Sequence, residues 1–477
     1  MPGMDAPITI AWFRRDLRLS DNAALSAAAR RGRVIPVFIA DDQVDQLGAA
    51  AKLRLHLGLE ALAQSLAAAG APLIVRKGDA LETLQALASE TGADKIVWNR
   101  LTDGAAIARD TRVKAALADR GLAPESFGGH TLLEPWALKT GAGGSFKVFT
   151  PFWRALSREG APPPLPAVER LDPAPHQPES LPLDSLGLTK PMNRAADALA
   201  SRIKAGEAAA RDQLVGFLDT RASRYADSRN DLGADGTSGL SQYLALGEIS
   251  PRSAWAAMDR HLGDKGVEAA RRQLVWRDFA HHLLFHDPEM ETRNWRREWS
   301  AFPWRNDNDD ARMWRAGRTG VDIVDAAMRE LWVTGLMHNR ARMLVASYLT
   351  KNLLTHWRVG AEWFHDCLID WDPANNAMGW QWVAGCGPDA APFFRIFNPV
   401  TQAEKFDKSG AYRNRWLGDT DDANAFKDTW PRRQVTSVLA REPLMVDLAA
   451  TRGKALAAWE AMREEQKAGL PAIEEQA

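Results

Sequence analysis

The chain has 477 residues, which is longer than one ordinary domain and enough for two or three hydrophobic cores. Its 60 Lys and Arg residues stand against 61 Asp and Glu residues, a net charge of −1. That balance excludes a polycation that coats DNA but leaves room for a local basic groove. Two cysteines are too few for a disulfide framework or a structural zinc site. No apolar run reaches the roughly 18 residues of a membrane span, and the N-terminus lacks a secretory pattern, so we expect a cytoplasmic protein without membrane contact.

The first 130 residues alternate short apolar runs with helical stretches. The runs at residues 8–13, 34–39, 72–75 and 95–99 are typical of buried parallel strands, and Ala/Leu-rich segments lie between them. This alternation predicts an α/β domain built on a doubly wound parallel sheet of the Rossmann-like type. The first strand is not followed by a GxGxxG motif, so a dinucleotide site of that kind is not indicated.

A proline-rich stretch separates this part from the rest. Residues 161–191 contain nine prolines and little periodicity, which is typical of a long extended linker. From about residue 195 onward, helical spacing replaces the strand-like runs. We therefore predict an α/β domain at 1–130, an interdomain linker at 131–200 and an all-α domain at 201–477.

Two segments of the helical half contain groups that suit a nucleotide. Thr237, Ser238 and Ser241 precede a predicted helix, where hydroxyls and free backbone N–H groups suit a phosphate. An ordinary helix cap has the same composition. Farther along, Gln273 and Trp276 share one helix face with an arginine, an arrangement that suits contact with a base or a flavin. The alternative there is a plain amphipathic surface helix.

Two later segments are richer in polar and aromatic groups. Asn339, Arg342 and Met343 share a helix face, whereas the adjacent His338 fits a buried core histidine better than a catalyst. Residues 368–382 then place Asp370, Asp372, Asn376, Trp380 and Trp382 within fifteen positions. Paired aspartates suit metal binding or acid/base chemistry, but no His or Cys stands at the usual ligand spacing. An aspartate beside Arg342 would equally be a structural ion pair.

Taken in order, these segments match one protein family. The matching sequences are WFRRDLRLSDNAAL, VFTPFW, GTSGLS, WRDF, VDAAMRELWVTGLMHNRARM and NNAMGWQWVAGCGPDAAPFFRIFNPVTQAEKFD. Over nearly its whole length the chain resembles class I cyclobutane pyrimidine dimer photolyases of the photolyase/cryptochrome family. The resemblance implies an N-terminal α/β domain, a long connector and a C-terminal helical domain that binds FAD.

The resemblance also assigns residues to the flavin. The implied FAD-binding residues are Tyr225, Thr237, Ser238, Gly239, Leu240, Ser241, Arg277, Arg342, Asp370, Trp371, Asp372 and Asn376. Asp370 would pair with Arg342, and Asn376 would face the flavin nitrogen that gains a proton on reduction. A neutral amide can donate or accept a hydrogen bond there, whereas the aspartate of plant cryptochromes would favour a different redox state.

The tryptophan content fits the same family. The chain has 19 tryptophans and four tyrosines, and fifteen of the tryptophans follow residue 250. Core packing is the default explanation for most of them. Trp304, Trp357 and Trp380 match the family's electron-transfer chain and are, with Asn376, the implied catalytic residues.

The implied reaction is the light-dependent repair of cyclobutane pyrimidine dimers. Two C–C bonds join the pyrimidines of such a dimer, and acid/base groups offer no route to break them. A reduced flavin excited by blue light can donate one electron, after which both bonds cleave. The implied enzyme is thus a deoxyribodipyrimidine photo-lyase, a carbon–carbon lyase that flips the dimer out of UV-damaged DNA.

Further positions match the family's contacts with DNA, and the protein is expected to act as a monomer. They are Arg229, Gln273, Trp276, Arg277, Asn339, Arg340, Met343, Trp382, Arg395 and Gln402. Gln273 stands where class I enzymes usually carry a glutamate, so the charged hydrogen bond to the dimer is replaced by a neutral one. Leu336 and Ala270 each replace a usual tryptophan. The resemblance implies no metal site.

A second, light-harvesting chromophore is common in the family. Folate-binding members use an Asn-Glu pair and a Cys-Lys pair, and the matching positions here hold Ala106–Ile107 and Glu291–Thr292. These residues argue against a methenyl-folate antenna and leave a deazaflavin, a second flavin or no antenna.

Three other functions remain open from the sequence. A (6-4) photolyase would need proton-transferring histidines where Asn339 and Met343 stand. A cryptochrome-like blue-light sensor commonly adds a long C-terminal extension, whereas this sequence ends soon after its last predicted helix. An electron-transfer flavoprotein without DNA would leave the DNA-side matches unexplained.

Overall fold

The structure is a computed structural model that describes residues 6–192, 196–389, 394–431 and 443–467. Contacts divide the chain into two compact units, and both are discontinuous in sequence. The first unit comprises residues 1–192, 203–226 and 238–288, and the second comprises 193–202, 227–237 and 289–477. The domain ranges of the sequence analysis stay a prediction. Part of the family-matching segment at 375–407 (residues 390–393) lies outside the described residues.

The first unit contains a parallel sheet, as predicted. Its strands are β1 (Ile8–Phe13), β2 (Arg33–Ala40), β3 (Ile74–Lys77), β4 (Lys95–Asn99), β5 (Ala123–Phe127) and β6 (Asp172–Pro173). The spatial order is β3-β2-β1-β4-β5, and β6 pairs with the start of β2. Every pairing is parallel, with Thr9 opposite both Val34 and Lys95. The α/β fold class is therefore confirmed, whereas β5 and β6 were not predicted.

Helices make up most of the remaining described chain. The α-helices are α1 (Ala23–Arg31), α2 (Asp42–Asp45), α3 (Ala49–Ala69), α4 (Ala80–Thr91), α5 (Gly104–Asp119), α6 (Phe149–Glu159), α7 (Ala196–Ala200), α8 (Glu207–Thr220), α9 (Tyr225–Ser228), α10 (Ser241–Leu246), α11 (Pro251–Asp259), α12 (Lys265–His286), α13 (Asp309–Arg315), α14 (Asp322–Thr334), α15 (Asn339–Ser347), α16 (Trp357–Cys367), α17 (Pro373–Ala384), α18 (Pro399–Phe406), α19 (Ala411–Leu417), α20 (Asp421–Thr429) and α21 (Leu448–Lys467). A π-helical turn at Tyr348–Asn352 follows α15. None of the described helices is both long and apolar enough to cross a membrane.

Alternation along the strands explains how the sheet is covered. Ile10 and Trp12 of β1 pack into one hydrophobic cluster, and Ala11 and Phe13 pack into another. Successive side chains of a strand point to opposite faces, so both faces of the sheet are buried under helices. The second unit has its own core, in which buried side chains of α13 to α17 meet those of α18 to α21.

The proline-rich stretch predicted as a linker lies along the first unit. Its backbone N–H groups reach the sheet and its helices: Leu171 donates to the carbonyl of Ala69 at 2.7 Å, and Leu181 donates to that of Val75 at 2.9 Å. Regular structure is limited there to β6 and a 3₁₀ turn at Leu183–Leu186. Proline removes backbone donors, so the segment can attach only through its other residues.

A buried ion pair joins the α/β part of the first unit to its later helices. The Arg54 guanidinium on α3 binds the Glu248 carboxylate through two hydrogen bonds, one of 2.9 Å, and both side chains have no exposed surface. The N–H of Gly206 also donates to Glu248 at 2.8 Å. Nearby, Gly247 has φ +66°, and a Cβ there would lie 2.2 Å from the carbonyl oxygen of Arg15. Only glycine fits this close approach.

A second buried carboxylate anchors α12. Asp278 accepts a hydrogen bond of 2.6 Å from the N–H of Leu132, and burial raises its pKa to about 7 despite the nearby guanidinium of Arg277. The charged form is therefore the disfavoured one inside the folded unit.

We predict that Arg54→Met lowers the free energy of unfolding by about 3–5 kcal/mol, because it leaves the Glu248 carboxylate buried without its cation. Urea denaturation followed by circular dichroism measures the change. The double variant Arg54→Met/Glu248→Leu should recover part of the loss. A single variant as stable as the wild type would contradict the role given to the pair.

We predict that Asp278→Asn removes a pH dependence of stability. The folded-state pKa is raised from 3.8 to about 7, so the folded protein binds more protons than the unfolded chain in that window and loses stability as pH rises through it. Relative to the wild type, the variant should gain about 4 kcal/mol between these two pH values. Urea titrations across the window measure the gain. The exposed Asp219→Asn is the matched control, and a flat difference would contradict the assignment.

Candidate functional site

The carboxyl ends of the central strands are the usual ligand position in a doubly wound sheet. Here, Arg14 binds Asp110 at 3.0 Å and Arg109 binds Asp41 at 2.8 Å. Both guanidinium groups lie over the ring of Trp12, at 4.2 and 4.8 Å from its centroid. The described polar groups at this edge are thus engaged with one another.

The predicted phosphate segment forms a tight turn in the first unit. Gly239 has φ +67°, and a Cβ there would lie 2.6 Å from Nε2 of Gln213. Gln213 donates to the carbonyl of Ser238 at 2.7 Å, which fixes the turn. Ser241 is the first residue of α10, and no side chain caps that helix. The cap interpretation is therefore wrong for this helix.

Neighbouring residues of the turn differ in exposure. Tyr225 is buried edge-on against Phe217, with ring centroids 5.5 Å apart. Leu240 is also buried, Thr237 is half-buried, and Ser241 is exposed. The hydroxyl-bearing side chains of the turn are thus at least partly exposed, whereas Tyr225 and Leu240 are buried.

On α12, the three predicted residues have different surroundings. Arg277 is buried and donates to the carbonyl oxygen of His130 at 2.8 Å. Trp276 is half-buried and stacks on Phe149, with centroids 3.6 Å apart and planes 5° from parallel. Gln273, one turn earlier, is half-buried. Trp276 is therefore held as a rigid ring by another aromatic residue.

The next turn of α12 contains histidines that the sequence analysis did not single out. Nδ1 of His281 lies 2.8 Å from the hydroxyl of Thr102, and the ring is 4.7 Å from that of His130. His282 accepts from the N–H of Phe146 at 3.0 Å, and burial lowers its pKa to about 4. Its other nitrogen lies 2.8 Å from the carbonyl oxygen of Pro135 and therefore carries the hydrogen. The adjacent histidines of FAHHLL were the available signal.

In the second unit, the predicted ion pair is present. Arg342 binds Asp370 through two hydrogen bonds of 2.8 and 3.0 Å and donates to the carbonyl of Met337 at 2.8 Å. Asp372 begins α17 and accepts from the N–H of Asn375 at 2.9 Å. Asp370 and Asp372, two positions apart in sequence, thus have separate partners.

Asn376 is oriented by a backbone group of the neighbouring helix. Its Nδ2 donates to the carbonyl oxygen of Ala361 on α16 at 3.1 Å. One of the two N–H donors of the amide is thereby used, which fixes the orientation of the group, and Oδ1 is its hydrogen-bond acceptor. Trp371 lies 4.6 Å from the ring of His365, and its buried indole N–H has no partner among the residues described.

The three predicted relay tryptophans follow one another through the second unit. A Cβ on Gly360 would lie 2.1 Å from the Trp380 ring, so this indole packs directly on α16. Trp357 is three residues before Gly360 on the same helix face. The His356 ring lies 5.5 Å from Trp357 and 5.2 Å from Trp304.

Exposure changes along this series. Trp357 and Trp380 are buried, whereas Trp304 is half-buried. Burial, together with the charge of Arg358, lowers the pKa of the intervening His356 to about 3, so it is neutral at ordinary pH. The series therefore runs from a buried indole to one that meets solvent.

The residues predicted to meet DNA in this unit include a basic cluster, formed by Arg229, Arg340 and Arg395. Burial and the charges of Arg395 and Arg229 lower the pKa of Arg340. Arg340 also donates to Asn230 at 2.7 Å and lies over the ring of Phe406. A net charge near zero thus coexists with a locally positive surface.

The other residues predicted to meet DNA in this unit lie on three different helices. Asn339 is exposed at the start of α15, Met343 is half-buried one turn later, and Gln402 is half-buried on α18. Trp382 donates to the carbonyl of Asp389 at 3.1 Å. His338 is half-buried and caps α15, accepting from the N–H of Arg340 at 3.0 Å, so the core-histidine interpretation stays a prediction.

Two family models match separate parts of the chain. A family model described as DNA photolyase matches residues 9–170, and one described as the FAD binding domain of DNA photolyase matches residues 270–461. The deoxyribodipyrimidine photo-lyase of Agrobacterium fabrum is 46% identical over 87% of this chain and 88% of its own length. Cryptochrome-2 of Arabidopsis thaliana is 35% identical over 86% of this chain and 70% of its own length.

Solved structures of photolyases also match the chain. A class III photolyase from Agrobacterium tumefaciens superposes with a TM-score of 0.88 and 43% identity, covering 97% of this chain and 99% of that one. An archaeal photolyase from Sulfolobus tokodaii, which holds two FAD molecules, gives a TM-score of 0.79 and 27% identity over 95% and 100% of the chains. With its fold, its FAD-binding domain and these relatives, the chain belongs to the photolyase/cryptochrome family.

Proposed function

We propose that this protein repairs cyclobutane pyrimidine dimers in DNA, using light and reduced FAD. The observation that carries the proposal is that Asn376 and Trp380 lie one turn apart on α17. Asn376 and Trp380 each contact α16, one through Ala361 and the other through Gly360. A flavin-side amide and an electron relay would thus share one helix pair. Support also comes from the relatives named photo-lyase.

The residues present fit FAD. The fit rests on two features: the glycine turn at 237–241 with an uncapped helix behind it, and the Arg342–Asp370 pair. Hydroxyls and backbone N–H groups suit the phosphates, and arginine suits the polar edge of a flavin. The residues that we propose for FAD are Tyr225, Thr237, Ser238, Gly239, Leu240, Ser241, Arg277, Arg342, Asp370, Trp371, Asp372 and Asn376. When bound, FAD supplies one-electron chemistry under blue light.

Asn376 would favour the reduced cofactor. Its Nδ2 is held by the carbonyl of Ala361, and its Oδ1 would serve as the acceptor toward the flavin. An acceptor stabilises a flavin nitrogen that carries hydrogen, and a neutral amide adds no charge. The Arg342 guanidinium, held by Asp370, would offset negative charge on the reduced ring.

Trp380, Trp357 and Trp304 would carry electrons inward from the surface. Each indole can lose an electron and regain it from the next, so the vacancy moves outward while the electron moves inward. His356 is neutral between the two outer indoles and adds no opposing charge. Trp304 is the half-buried member, where an external reductant can reach it.

The dimer itself would be contacted by side chains of α12, α15 and α17. Trp276, braced by Phe149, offers a fixed ring for stacking, and Gln273 offers both a donor and an acceptor to pyrimidine edges. The other residues that we propose for contact with the dimer are Asn339, Arg340, Met343 and Trp382. A dimer inside the duplex is already poorly stacked and paired, which lowers the free-energy cost of flipping it out.

The DNA backbone would meet the basic cluster. Arg229, Arg340 and Arg395 concentrate positive charge despite the overall charge of −1. Gln402 lies on α18, which also carries Lys405 over the Phe406 ring. Phosphate contacts of this kind fix position without reading sequence.

An antenna chromophore would be a deazaflavin or a second flavin. The solved Sulfolobus photolyase contains two FAD molecules, whereas Ala106–Ile107 and Glu291–Thr292 replace the folate-binding pairs. Class I membership, the monomeric state and the cytoplasmic location stay predictions.

The main alternative function is a blue-light sensor, which the cryptochrome relative favours. A light pulse that changes binding to a protein partner, without repair, would support it. A (6-4) photolyase is less well supported, because Asn339 and Met343 cannot transfer protons. His338 caps α15, and burial together with Arg340 and Arg342 lowers its pKa to about 4.

We predict that the chemically reduced protein restores the ultraviolet absorbance of a thymine-dimer oligonucleotide in blue light and not in the dark. Restoration in light would also show that Gln273 permits catalysis. A (6-4) oligonucleotide serves as the parallel substrate. A protein that binds photoreducible FAD and restores neither substrate would contradict the repair function.

We predict that Arg395→Gln weakens binding to damaged and undamaged duplexes by the same factor. Losing one phosphate contact should reduce the slope of log affinity against log salt by about one. Fluorescence anisotropy at several salt concentrations measures the slope. Arg452→Gln, at an exposed arginine on α21, is the matched control. An unchanged slope would remove Arg395 from the DNA surface.

A further inference from the structure

A loop at residues 290–295, in which Met290 and Asn294 are the buried members, contacts the helices that carry both inner tryptophans. From α17, the Gln381 amide donates to the carbonyls of Met290 and Arg293 at 2.7 and 3.0 Å, and it accepts from the N–H of Trp295 at 2.7 Å. From α16, Arg358 donates to the carbonyl of Thr292 at 3.1 Å. The loop is therefore fixed on both sides of residue 294.

This loop brings one side chain to the middle tryptophan. Asn294 is 1% exposed, and its Oδ1 accepts a hydrogen bond of 2.9 Å from Nε1 of Trp357. The buried Nδ2 of Asn294 has no partner among the residues that the structure describes. Rotating the amide would set two donors against each other, so the carbonyl faces the indole. An unpartnered buried N–H is a cost, which indicates that the carbonyl is what the site retains.

The three relay indoles differ in what accepts their N–H. Nε1 of Trp380 is buried and has no acceptor within the described chain. Trp357 has the amide oxygen of Asn294, and Trp304 has the carbonyl oxygen of Trp299 at 3.1 Å together with partial exposure. An acceptor stabilises an indole that has lost an electron, because the oxidised ring is a cation. Oxidation therefore becomes easier from Trp380 to Trp304.

The kind of acceptor matters as much as its presence. An oxidised indole is also an N–H acid. A carboxylate or imidazole acceptor would take its proton and trap the vacancy as a neutral radical. An amide oxygen is too weak a base to do so. Asn294 thus stabilises the positive charge and leaves the proton in place.

We propose that Asn294 keeps Trp357 protonated while it carries the positive charge, so that the charge passes on to Trp304. The inference rests on the proposed relay. One electron passes from Trp380 to the light-excited oxidised flavin, one from Trp357 to Trp380, and one from Trp304 to Trp357. The Nε1 proton of Trp304 then leaves to water. Asn294 is a positioning residue for this transfer.

Flash photolysis of the holoprotein with oxidised flavin tests the proposal. The visible spectra of the indole radical cation and the neutral radical differ, so the two can be followed separately. In the wild type, the cation should appear first and the neutral radical later, together with proton release to a pH indicator dye. Trp304→Phe should abolish the late phase.

Two substitutions of Asn294 should both impair the transfer but differ in what happens to the Nε1 proton of Trp357. In Asn294→Asp, the neutral radical should form early at Trp357, and charge arriving at Trp304 should fall about tenfold or more. In Asn294→Leu, the proton stays but the cation loses its acceptor, so oxidation of Trp357 should slow about tenfold. Asn424→Asp, an exposed amide on α20, is the matched control. Wild-type kinetics in the Asp variant would overturn the proposal.

Two further measurements separate this role from folding and from repair. In the dark holoprotein labelled with ¹⁵N-tryptophan, the indole N–H signal of Trp357 should shift in Asn294→Leu while the other indole signals stay in place. General movement of the signals, with a changed flavin spectrum, would mark Asn294 as merely structural and overturn the proposal. Chemically reduced Asn294 variants should repair dimers as well as reduced wild type does. Repair failure of the wild type would defeat the proposed function but leave the radical kinetics as a test of Asn294.

Discussion

Permanent positive charge buried behind the first strand is the constraint on which the first unit depends. Burial lowers the pKa of Arg14 and Arg18, but a guanidinium stays charged in a protein and must find acceptors. Arg18 finds them in the carbonyls of Gly247 at 2.8 Å and Gly129 at 3.1 Å. Arg14 finds Asp110 at 3.0 Å. Segments far apart in sequence are thereby brought together around one short loop.

The same constraint explains why the family signature WFRRDLRLSDN is so polar and yet so buried. Asn22 donates to the backbone carbonyl of Arg18 at 3.0 Å, and Asp21 binds Arg252 at 2.9 Å. Arg252 belongs to α11, which follows the glycine turn proposed for the flavin. The signature is thus a scaffold for the later helices more than a site in itself. Removing one partner of such a network leaves the other uncompensated.

Much of the fold could be predicted because its signals are local. The four predicted strands are β-branched, buried and bounded by helices, and all four exist. β5 was missed because its sequence, APESF, has no β-branched residue, and it pairs with β4 only at the sheet edge. Helix faces could likewise be read from spacing, as for Gln273 and Trp276 on α12.

The site was harder to predict where it depends on loops. Asn294 lies in no periodic pattern, and its burial arises from hydrogen bonds of Gln381, a residue 87 positions away in the printed sequence. His356 gave no signal either, since its position between two indoles requires Arg305 to pair with the backbone at 354–356. A motif gave Asp370 as the partner of Arg342, whereas the contacts of Asn294 and His356 lie outside any matched segment.

The aromatic residues divide by what surrounds them. Trp332, Trp363 and Trp430 form a cluster with centroids 4.4 to 6.4 Å apart, which serves the core of the second unit. Such packing explains much of the tryptophan content without redox chemistry. What distinguishes the proposed relay tryptophans is their gradient of exposure and of hydrogen-bond acceptors.

Gly360 determines how closely the Trp380 ring packs on α16. Electron tunnelling depends exponentially on the gap between two rings, so a methyl group here, which would force the buried Trp380 ring to move, would change the rate of the proposed transfer as well as strain the core. The Trp380 ring fills the space that a Cβ on Gly360 would occupy. Because glycine has no side chain, the ring can lie directly against the backbone of α16. Natural variation at position 360 would therefore couple the packing of this core to the position of the innermost tryptophan of the proposed relay.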